Sequence, residues 1–401
     1  MQRPRVSADG RHLAFPDGAP FFWLGDTAWE LFHRLSREEA EHFLKTRAEQ
    51  GFNVIQAVGL AEYDGLRVPN REGHLPLHDL DPSKPNEPYW KHVDWVVEQA
   101  AKNGLYVGLV PTWGDKINKS WGIGPVVFDE KNAHAYGRFL GRRYAHHDNV
   151  IWINGGDRDP ADRKAVWRAL ASGLTEGDDS HERLMTFHPQ GERSSADDFH
   201  DDKWLDLNML QTGHGNPDLG VVRRMMRASY ERTPVKPVID GEPRYENHPI
   251  GFNMTRGYYD AGDVRQACYT GVFLGGAGVT YGCHAIWQFA QDRFEPVNNP
   301  ISHWRYSLGL PGANQMRHLK ELMLSLPFLQ MRPDFSAPMP TLSDGKTTLI
   351  YTHDGSPITL NTVKAEWFDP TTGKRQPASG GPNFTPPKRE GRVNDWVLIA
   401  N

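Results

Sequence analysis

The chain has 401 residues, 24% of them charged, and a formal net charge of −5 at pH 7. Acidic and basic residues are interspersed, so no basic surface indicates binding to nucleic acid. No apolar run is long enough to span a membrane. The length suffices for one large domain and a second small one.

The N-terminal segment and the two cysteines bear on the compartment in which we expect the protein. The first residues, MQRPRVSADG, contain no apolar signal core. We therefore expect a cytoplasmic protein as the sequence stands, or a secreted or periplasmic one if a signal peptide has been removed. Cys268 and Cys283 are the only cysteines. We expect one on a helix and one on a strand, as buried thiols rather than disulfide or zinc ligands.

Turn signals and apolar periodicity divide the chain. Residues 1–20 are predicted to form a β-hairpin extension, because Asp9-Gly10 and Asp17-Gly18 are turn signals beside a short apolar segment. Residues 21–330 then alternate apolar strands with amphipathic helices. The predicted strands are 21–24, 54–60, 105–111, 150–153, 184–187, 207–211, 235–240 and 279–289. Such alternation predicts an α/β fold, and eight units in this length fit a (β/α)8 TIM barrel better than an open doubly wound sheet.

Capping signals support several of the predicted helices. Ser36 with Glu39 forms a capping box before an apolar stripe, and Asp129 is placed to begin another helix. After residue 330 the pattern changes. A proline-rich linker precedes short apolar segments separated by Asp-Gly turns, with no helical periodicity. Residues 331–401 are therefore predicted to form a small antiparallel β-sandwich domain, which we expect to pack against the barrel because it is too small for a large core.

Two carboxylates follow predicted barrel strands. The segment VIWINGGD places Asp157 at the end of the fourth strand, and IDGEPRYE places Glu242 just beyond the seventh. Strand ends of this kind meet at the mouth of a parallel barrel, where catalytic residues lie. Two carboxylates flanking a scissile bond are what glycoside hydrolysis requires. The alternatives are structural: Asp157 caps a helix or pairs with Arg158, and Glu242 pairs with Arg244 or a neighbouring histidine.

Other strand ends supply candidate substrate-binding residues: Asp26, Trp113, His188, Gln211, His214, Tyr245 and Trp287. Trp113 and Trp287 are predicted to stack on sugar rings, with core packing as the alternative. The three polar residues that end the fifth and sixth strands are predicted to bind hydroxyls or tune the carboxylates. Asp26 either binds a sugar hydroxyl or caps the turn before Trp29. Tyr245 is close enough in sequence to Glu242 to donate a hydrogen bond to it.

Other chemistries lack their motifs. There is no HExxH motif and no paired histidine spacing on a helix, so we expect no metal site. The glycines at 275–278 lack the lysine and hydroxyl residue of a phosphate loop, and no GxSxG segment is present. We expect no cofactor. The predicted partner is an oligosaccharide or glycoside substrate, and the oligomeric state does not follow from the sequence.

Several segments together resemble the apiosidase-like glycoside hydrolases: PFFWLGDTAWEL at 20–31, GFNVIQ at 51–56, NVIWINGGD at 149–157, LQTGHG at 210–215 and DGEPRYE at 240–246. The segment AEWFDPTTG at 365–373 is similar to that family's C-terminal module, which resembles a collagen-binding domain. The resemblance implies a (β/α)8 barrel followed by a β-sandwich. It also implies retaining cleavage of a glycosidic bond, with Asp157 as the acid/base and Glu242 as the nucleophile.

The resemblance constrains the substrate only broadly. It points to apiose or another furanosyl unit of plant-derived glycans or glycosides. The wider superfamily places Asn-Glu at the fourth-strand site, whereas Asp157 here follows Gly156. The shorter side chain means that the substrate or the strand end must come closer. The alternative from a different class is a non-catalytic carbohydrate-binding protein on a TIM-barrel scaffold. The presence of both carboxylates favours the enzyme.

Overall fold

The computed structural model describes residues 1–178, 182–362 and 364–401. Within these residues, eight parallel strands form the wall of a barrel: β1 (Trp23–Thr27), β2 (Val54–Leu60), β3 (Tyr106–Thr112), β4 (Val150–Gly155), β5 (Met185–His188), β6 (Asn208–Gln211), β7 (Val238–Asp240) and β8 (Gly278–Cys283). Their order around the sheet is β5-β4-β3-β2-β1-β8-β7-β6. The barrel closes where Thr186 Oγ1 donates to the carbonyl oxygen of Leu207 at 2.7 Å. The predicted α/β barrel is confirmed.

Helices follow the strands and cover the barrel: α1 (Arg37–Glu49), α2 (Glu87–Lys102), α3 (Glu130–Tyr144), α4 (Lys164–Gly177), α5 (Ala196–Phe199), α6 (Leu219–Tyr230), α7 (Ala261–Phe273) and α8 (Pro311–Leu324). Single-turn helices lie at Leu31–Arg34, His284–Trp287 and Trp304–Ser307. Ser36 caps α1 through a capping box with Glu39, as predicted. Asp129 caps α3 in the same way with Asn132. None of the helices described is both long and apolar enough to cross a membrane.

The end of β8 differs from the prediction. The sequence pattern extended this strand to residue 289, but the strand ends at Cys283 and His284–Trp287 forms a single helical turn. Trp287 therefore belongs to a helix beyond the strand. A continuous apolar run has no periodicity that separates a buried strand from a buried helical turn, which explains the error. Cys283 on β8 and Cys268 on α7 are both buried free thiols, as predicted.

The barrel has an apolar interior as well as a core between the strands and the helices. The interior contains Trp23, Val54, Tyr106, Ile151 and Met209, from five of the eight strands. The predicted N-terminal hairpin, in which Arg5–Val6 pairs with Leu13–Ala14, contributes Leu13 to this interior core. Side chains therefore fill the barrel below its mouth, and substrate access is confined to the mouth.

The C-terminal residues form an antiparallel sheet of six strands within the described part of the chain: Arg332–Pro333, Thr341–Ser343, Thr348–Thr352, Trp396–Ala400, Ala365–Phe368 and Arg375–Pro377, in spatial order. A strand pair, Ile358–Thr359 with Asn383–Phe384, packs on one face through Ile358 and Phe384. The opposite face, including Leu349 and Val397, joins the apolar core around the barrel helices. The module therefore shares its core with the barrel, as we expected from its small size.

Candidate active site

A cavity of about 590 Å³ opens at the carboxyl ends of the barrel strands. Several predicted site residues line it: Trp113, Asp157, Gln211, His214, Glu242, Tyr245 and Trp287. His188 is fully buried beside Glu242. The strand ends therefore bring eight of the nine predicted residues to one place.

Two glycines shape the end of β4 and direct Asp157 into the cavity. Gly155 and Gly156 have φ angles of +92° and +130°. A Cβ atom on Gly155 would lie 2.2 Å from the carbonyl oxygen of His188, and one on Gly156 would lie 2.7 Å from the backbone nitrogen of Gly114. Asp157 itself has a φ of +52°, a strained value for a residue with a side chain. The two glycines thus let the backbone of the GGD segment run close to β3 and β5, which side chains at these positions would prevent.

Asp157 is held in a partly protonated state near neutral pH. Its side chain is 27% exposed. Burial raises the pKa of its carboxyl group to about 6, and the negative charge of Glu242 adds to the rise. Arg158, 3.2 Å away, and His188 oppose it. A carboxyl group with a raised pKa of this kind can donate a proton.

Glu242 is tuned in the opposite direction. One carboxylate oxygen lies 3.0 Å from Nε2 of His188. The other lies 3.2 Å from Nε2 of His214 and accepts from the side-chain amide of Gln211 at 3.1 Å. Burial alone would raise the pKa of Glu242, but the hydrogen bonds and charges of the two histidines outweigh it and lower the pKa to about 2. Glu242 is therefore ionised across the physiological range.

His188 and Gln211 connect the two carboxyl groups. Nδ1 of His188 accepts from the backbone N–H of Asp157 at 3.4 Å, and Nε2 of the same ring lies 3.0 Å from a carboxylate oxygen of Glu242. The Gln211 amide donates to Glu242, and a hydrogen bond from Gln211 also lowers the pKa of Asp157. His188 thus links Glu242 to the backbone of Asp157, and Gln211 links it to the Asp157 carboxyl group.

Tyr245 lies under His214, with ring centroids 4.3 Å apart. Burial, and then the charge of Glu242, raise the pKa of the Tyr245 hydroxyl, so it keeps its proton. Among the described residues, this hydroxyl has no hydrogen-bond partner of good geometry. The predicted hydrogen bond to Glu242 is thus not well formed here, and the hydroxyl is free to donate to a bound molecule.

Three indole rings enclose the deep part of the cavity. Trp29, Trp113 and Trp287 line it and are only 4%, 3% and 8% exposed. Trp29 and Trp113 pack against each other and against the ring of His188. These tryptophans therefore both support the carboxylate pair and form walls of the cavity. Core packing and a position in the cavity wall, the two alternatives for Trp113 and Trp287, are therefore compatible.

The prediction for Asp26 as a sugar ligand is not supported by its position. Its side chain is completely buried, and Oδ2 accepts from Nε of Arg47 on α1 at 2.7 Å. It faces the helices that surround the barrel rather than the cavity. Successive residues of a strand point to opposite faces of the sheet. A residue one position away from the cavity-facing side can therefore face the surrounding helices, as Asp26 does.

The sequence analysis did not predict Glu62 as a site residue, and it considered Arg158 only as an ion-pair partner of Asp157. Arg158 Nη2 lies 2.9 Å from Glu62 Oε1, while its Nη1 lies 3.2 Å from Asp157 Oδ2. Burial raises the pKa of Glu62 to about 7; Arg158 opposes the rise, and the charges of Asp157 and Asp115 add to it. Glu62 stands two residues beyond β2, so the strand-end rule that identified Asp157 applies to it as well.

Comparisons with known proteins agree with this architecture. Residues 7–330 match the family described as the apiosidase-like catalytic domain, and residues 339–401 match the family of the collagen-binding-like domain of a collagenase. A solved structure described as a glycoside hydrolase is 32% identical, with a TM-score of 0.89 over 99% of this chain and 96% of that one. No curated protein matches the sequence.

Two further solved structures share the fold. A glycoside hydrolase family 5 structure from Bacteroides vulgatus is 32% identical, with a TM-score of 0.88 over 99% of this chain and 92% of that one. A family 5 mannosidase from Rhizomucor miehei is 14% identical, covers 70% of this chain and 85% of its own, and has a TM-score of 0.51, a likeness of fold alone. With its carboxylate pair at the mouth of the barrel, the chain belongs to the apiosidase-like family and is a glycoside hydrolase.

Proposed function

We propose that the protein cleaves its glycosidic bond with retention of anomeric configuration, with Asp157 as the acid/base and Glu242 as the nucleophile. The observation that carries this assignment is the opposite tuning of the two groups. Asp157 has a pKa of about 6, and Glu242 has a pKa of about 2. Near neutral pH one carboxyl group can hold a proton while the other is an anion, which divides the roles between them.

The contacts of Gln211 with both carboxyl groups favour retention. Gln211 is hydrogen-bonded to Glu242 and also acts on Asp157, so a single amide group reaches both carboxyl groups. A retaining pair is separated by about 5 to 5.5 Å, whereas an inverting pair needs about 6.5 to 9.5 Å to admit a water molecule. We expect the shorter separation in the substrate complex.

The proposed reaction then has two steps, formation and hydrolysis of a glycosyl ester on Glu242. Glu242 attacks the anomeric carbon while Asp157 gives its proton to the glycosidic oxygen, and the leaving group departs as an alcohol. The resulting glycosyl ester on Glu242 is attacked by water, whose proton passes to Asp157, and the sugar leaves with Glu242 restored as a carboxylate. His188 and His214 orient Glu242 in both steps, and the free Tyr245 hydroxyl is available to a sugar oxygen beside it.

For the glycone we propose apiose or another pentofuranose of a plant-derived glycoside. The family description supports this choice. The residue that protonates the leaving group is an aspartate held on a strained turn, so the reacting oxygen must come close to the strand end. Buried indole rings limit the depth of the cavity, which suits a small glycone.

The proposal is tested with a panel of aryl pentofuranosides and pyranosides of both anomeric configurations. Wild type is expected to cleave one of them, and proton NMR at early times should show the product anomer with the configuration of the substrate. Glu242→Gln should reduce turnover about a thousandfold or more while leaving the melting temperature near that of wild type. Asp157→Ala should lose turnover as well, and added azide should restore product as a glycosyl azide of retained configuration.

The outcomes separate the parts of the proposal. Product of inverted configuration would refute the nucleophilic role of Glu242. Full activity of Glu242→Gln would remove this residue from the reaction. A sugar that raises the melting temperature without being cleaved by wild type would favour the carbohydrate-binding alternative.

A further inference from the structure

Three histidine rings, those of His214, His248 and His284, lie side by side next to the cavity. The ring of His248 lines the cavity and contacts the other two, at centroid distances of 4.3 and 4.6 Å. Nε2 of His214 lies 3.2 Å from the carboxylate of Glu242. At the other end, the indole N–H of Trp287 donates to Nδ1 of His284 at 3.2 Å. The three rings therefore connect the proposed nucleophile with a tryptophan of the cavity wall.

The hydrogen-bond partners of the two outer rings are groups of the protein itself. Both nitrogens of His214 face acceptors, which are the Glu242 carboxylate and, at 3.3 Å, the carbonyl oxygen of Pro243. Nε2 of His284 lies 2.9 Å from the carbonyl oxygen of Asn298, and its Nδ1 accepts the indole N–H. All four nitrogens of these two rings are therefore engaged within the protein.

His248 differs from the other two rings because one of its nitrogens is a free acceptor. Nδ1 lies 2.8 Å from the carbonyl oxygen of Pro249, and a carbonyl oxygen only accepts, so Nδ1 carries the proton of this bond. Burial lowers the pKa of His248 well below its usual value, and the positive charge that His214 or His284 can carry adds to the effect. The ring is therefore neutral at physiological pH, and its Nε2 has a lone pair.

This lone pair is open to the cavity. Within the described part of the chain no group donates to Nε2 of His248, and the atom keeps accessible surface where the ring lines the cavity. Little of the ring is exposed otherwise, since the whole residue is 2% exposed and the ring of Phe252 packs edge-on against it at 4.8 Å. A ligand that fills the cavity therefore covers an acceptor that needs a donor.

The position of His248 defines which part of a substrate covers it. In a retaining reaction the nucleophile bonds to the anomeric carbon, so the transferred sugar lies against Glu242. His248 is on that side of the cavity, because His214 contacts both it and Glu242. The donors of a neutral sugar are its hydroxyl groups. A buried acceptor that is covered without a donor loses its contact with water and gains no partner.

We propose that Nε2 of His248 accepts a hydrogen bond from a hydroxyl group of the glycone, and that the enzyme requires this hydroxyl to be present and unsubstituted. The inference rests on the proposed hydrolysis, because that reaction places the glycone against Glu242. A substituent on this oxygen, or fluorine in its place, removes the donor. Sites that bond a substrate hydroxyl discriminate strongly against analogues that lack it. His248 is thus a specificity-determining residue for the glycone.

The test combines a variant of His248 with glycones that each lack one donor. The aryl glycoside that wild type cleaves fastest is compared with analogues in which one hydroxyl at a time is replaced by fluorine. His248→Phe keeps a ring and removes the acceptor, so it should lower kcat/KM for the parent glycoside about thirtyfold. On the analogue that lacks the partner hydroxyl the variant should lose less than about threefold relative to wild type. On every other analogue the loss of about thirtyfold should return.

Two further variants control for packing and for folding. Comparing variant and wild type on the same analogue cancels the effect of fluorine on the reaction itself. His146→Phe makes the same exchange at an exposed position after α3 and should behave as wild type on all analogues. If His248→Phe does not fold, His248→Gln, whose amide oxygen accepts, takes its place. It should lose less than about tenfold on the parent glycoside and should reduce the preference for hydroxyl over fluorine at one position only.

The results distinguish this inference from the proposed hydrolysis. Equal losses of His248→Phe on the parent and on every analogue would assign the ring a packing role and overturn the inference, as would full activity of the variant, and hydrolysis would stand in both cases. If wild type cleaves no glycoside, the proposed function fails. The Kd of the aryl glycoside that most raises the melting temperature is then compared between wild type and His248→Phe. An unchanged Kd, or a panel in which nothing binds, would overturn the inference as well.

Discussion

At the scale of single residues, different surroundings shift the pKa values of two similar carboxyl groups in opposite directions. Both Asp157 and Glu242 are carboxylic acids at strand ends. Glu242 receives donors from three side chains, His188, His214 and Gln211. Asp157 has one guanidinium group nearby, which is shared with Glu62, and the charge of His188 and a hydrogen bond from Gln211 lower its pKa less than Arg158 does. Burial raises the pKa of both groups; the two histidines beside Glu242 more than reverse that rise, whereas Arg158 offsets it only in part at Asp157, where the charge of Glu242 adds to it.

Arg158 should set the alkaline limit of activity. Because its charge lowers the pKa of Asp157, Arg158→Gln should raise that pKa. The acid must be protonated to act, so kcat/KM falls as pH rises through the pKa of Asp157, about 6. In the variant this descending limb should move upward by about one pH unit. Profiles of kcat/KM against pH on an aryl glycoside measure the shift.

Arg163→Gln is the matched control for the Arg158 prediction. It removes the same charge from the chain following β4, but Arg163 is 45% exposed and its nearest carboxylate, on Asp162, is 3.9 Å away. Its profile should overlay that of wild type. A descending limb that stays in place in Arg158→Gln, or moves to lower pH, would contradict the role of Asp157 as the titrating acid.

At the scale of elements, the end of β4 has no room for added side-chain atoms. The strand itself is an ordinary buried run, but its last residues pass between β3 and β5 at backbone distance. Gly156 N–H donates to the carbonyl oxygen of His188, and Gly114 N–H donates to that of Gly156. These bonds fix the direction in which Asp157 leaves the strand.

Gly155→Ala should therefore impair both stability and activity. It adds a Cβ atom 2.2 Å from the carbonyl oxygen of His188 at a position whose φ is +92°. We expect a loss of about 2 to 4 kcal/mol in the free energy of unfolding, from strain and steric overlap together. Chemical denaturation measures it, and turnover of an aryl glycoside should fall because β5 carries His188.

Gly104→Ala provides the comparison for Gly155→Ala. Gly104 follows α2 with a φ of +73°, but a Cβ atom there meets nothing within 4 Å. Gly104→Ala should lower the free energy of unfolding by about 1 kcal/mol, because it adds only the strain of a left-handed backbone conformation. Turnover should not change. Equal losses in the two variants would mean that the close passage beside His188 contributes nothing.

At the scale of the whole molecule, the barrel and the C-terminal module are joined by a buried ion pair. Arg265 on α7 donates to both oxygens of Asp395 at 2.8 and 2.9 Å. Asp395 is fully buried and also accepts from Arg389 and from the hydroxyl of Tyr351. Together with the apolar contacts of Leu349 on the barrel side, this network ties the module to the barrel, so we expect the two to unfold together.

Asp395→Ala should destabilise the entire chain. It leaves the Arg265 guanidinium group buried without its carboxylate, which we expect to cost about 3 to 5 kcal/mol. Calorimetry should show one transition, moved to lower temperature, rather than separate unfolding of module and barrel. Glu231→Ala breaks an exposed pair with Arg227 and should cost less than about 1 kcal/mol. A separate early transition in Asp395→Ala would contradict a shared folding unit.

Local sequence pattern was sufficient to predict the barrel and most of its mouth. Apolar runs alternating with amphipathic helices can bury their faces only in a layered parallel sheet, so the order of elements followed from local pattern. Strand ends at one edge of such a sheet must be neighbours, which is why Asp157, Glu242, His188 and Gln211 could be assigned to one site. Capping residues such as Ser36 were recognised because their partners are three residues away.

The partner that each side chain contacts could be read only from the folded chain. Asp26 lies next to the site in sequence, yet its carboxylate turns outward to Arg47. Glu62 and Arg158 are separated by 96 residues and meet only because β2 and β4 end at the same mouth. The helical turn that carries Trp287 has the same apolar composition as a strand. Local pattern reports how apolar a segment is, whereas ion pairs, pKa values and cavity walls depend on residues that folding brings together from distant parts of the chain.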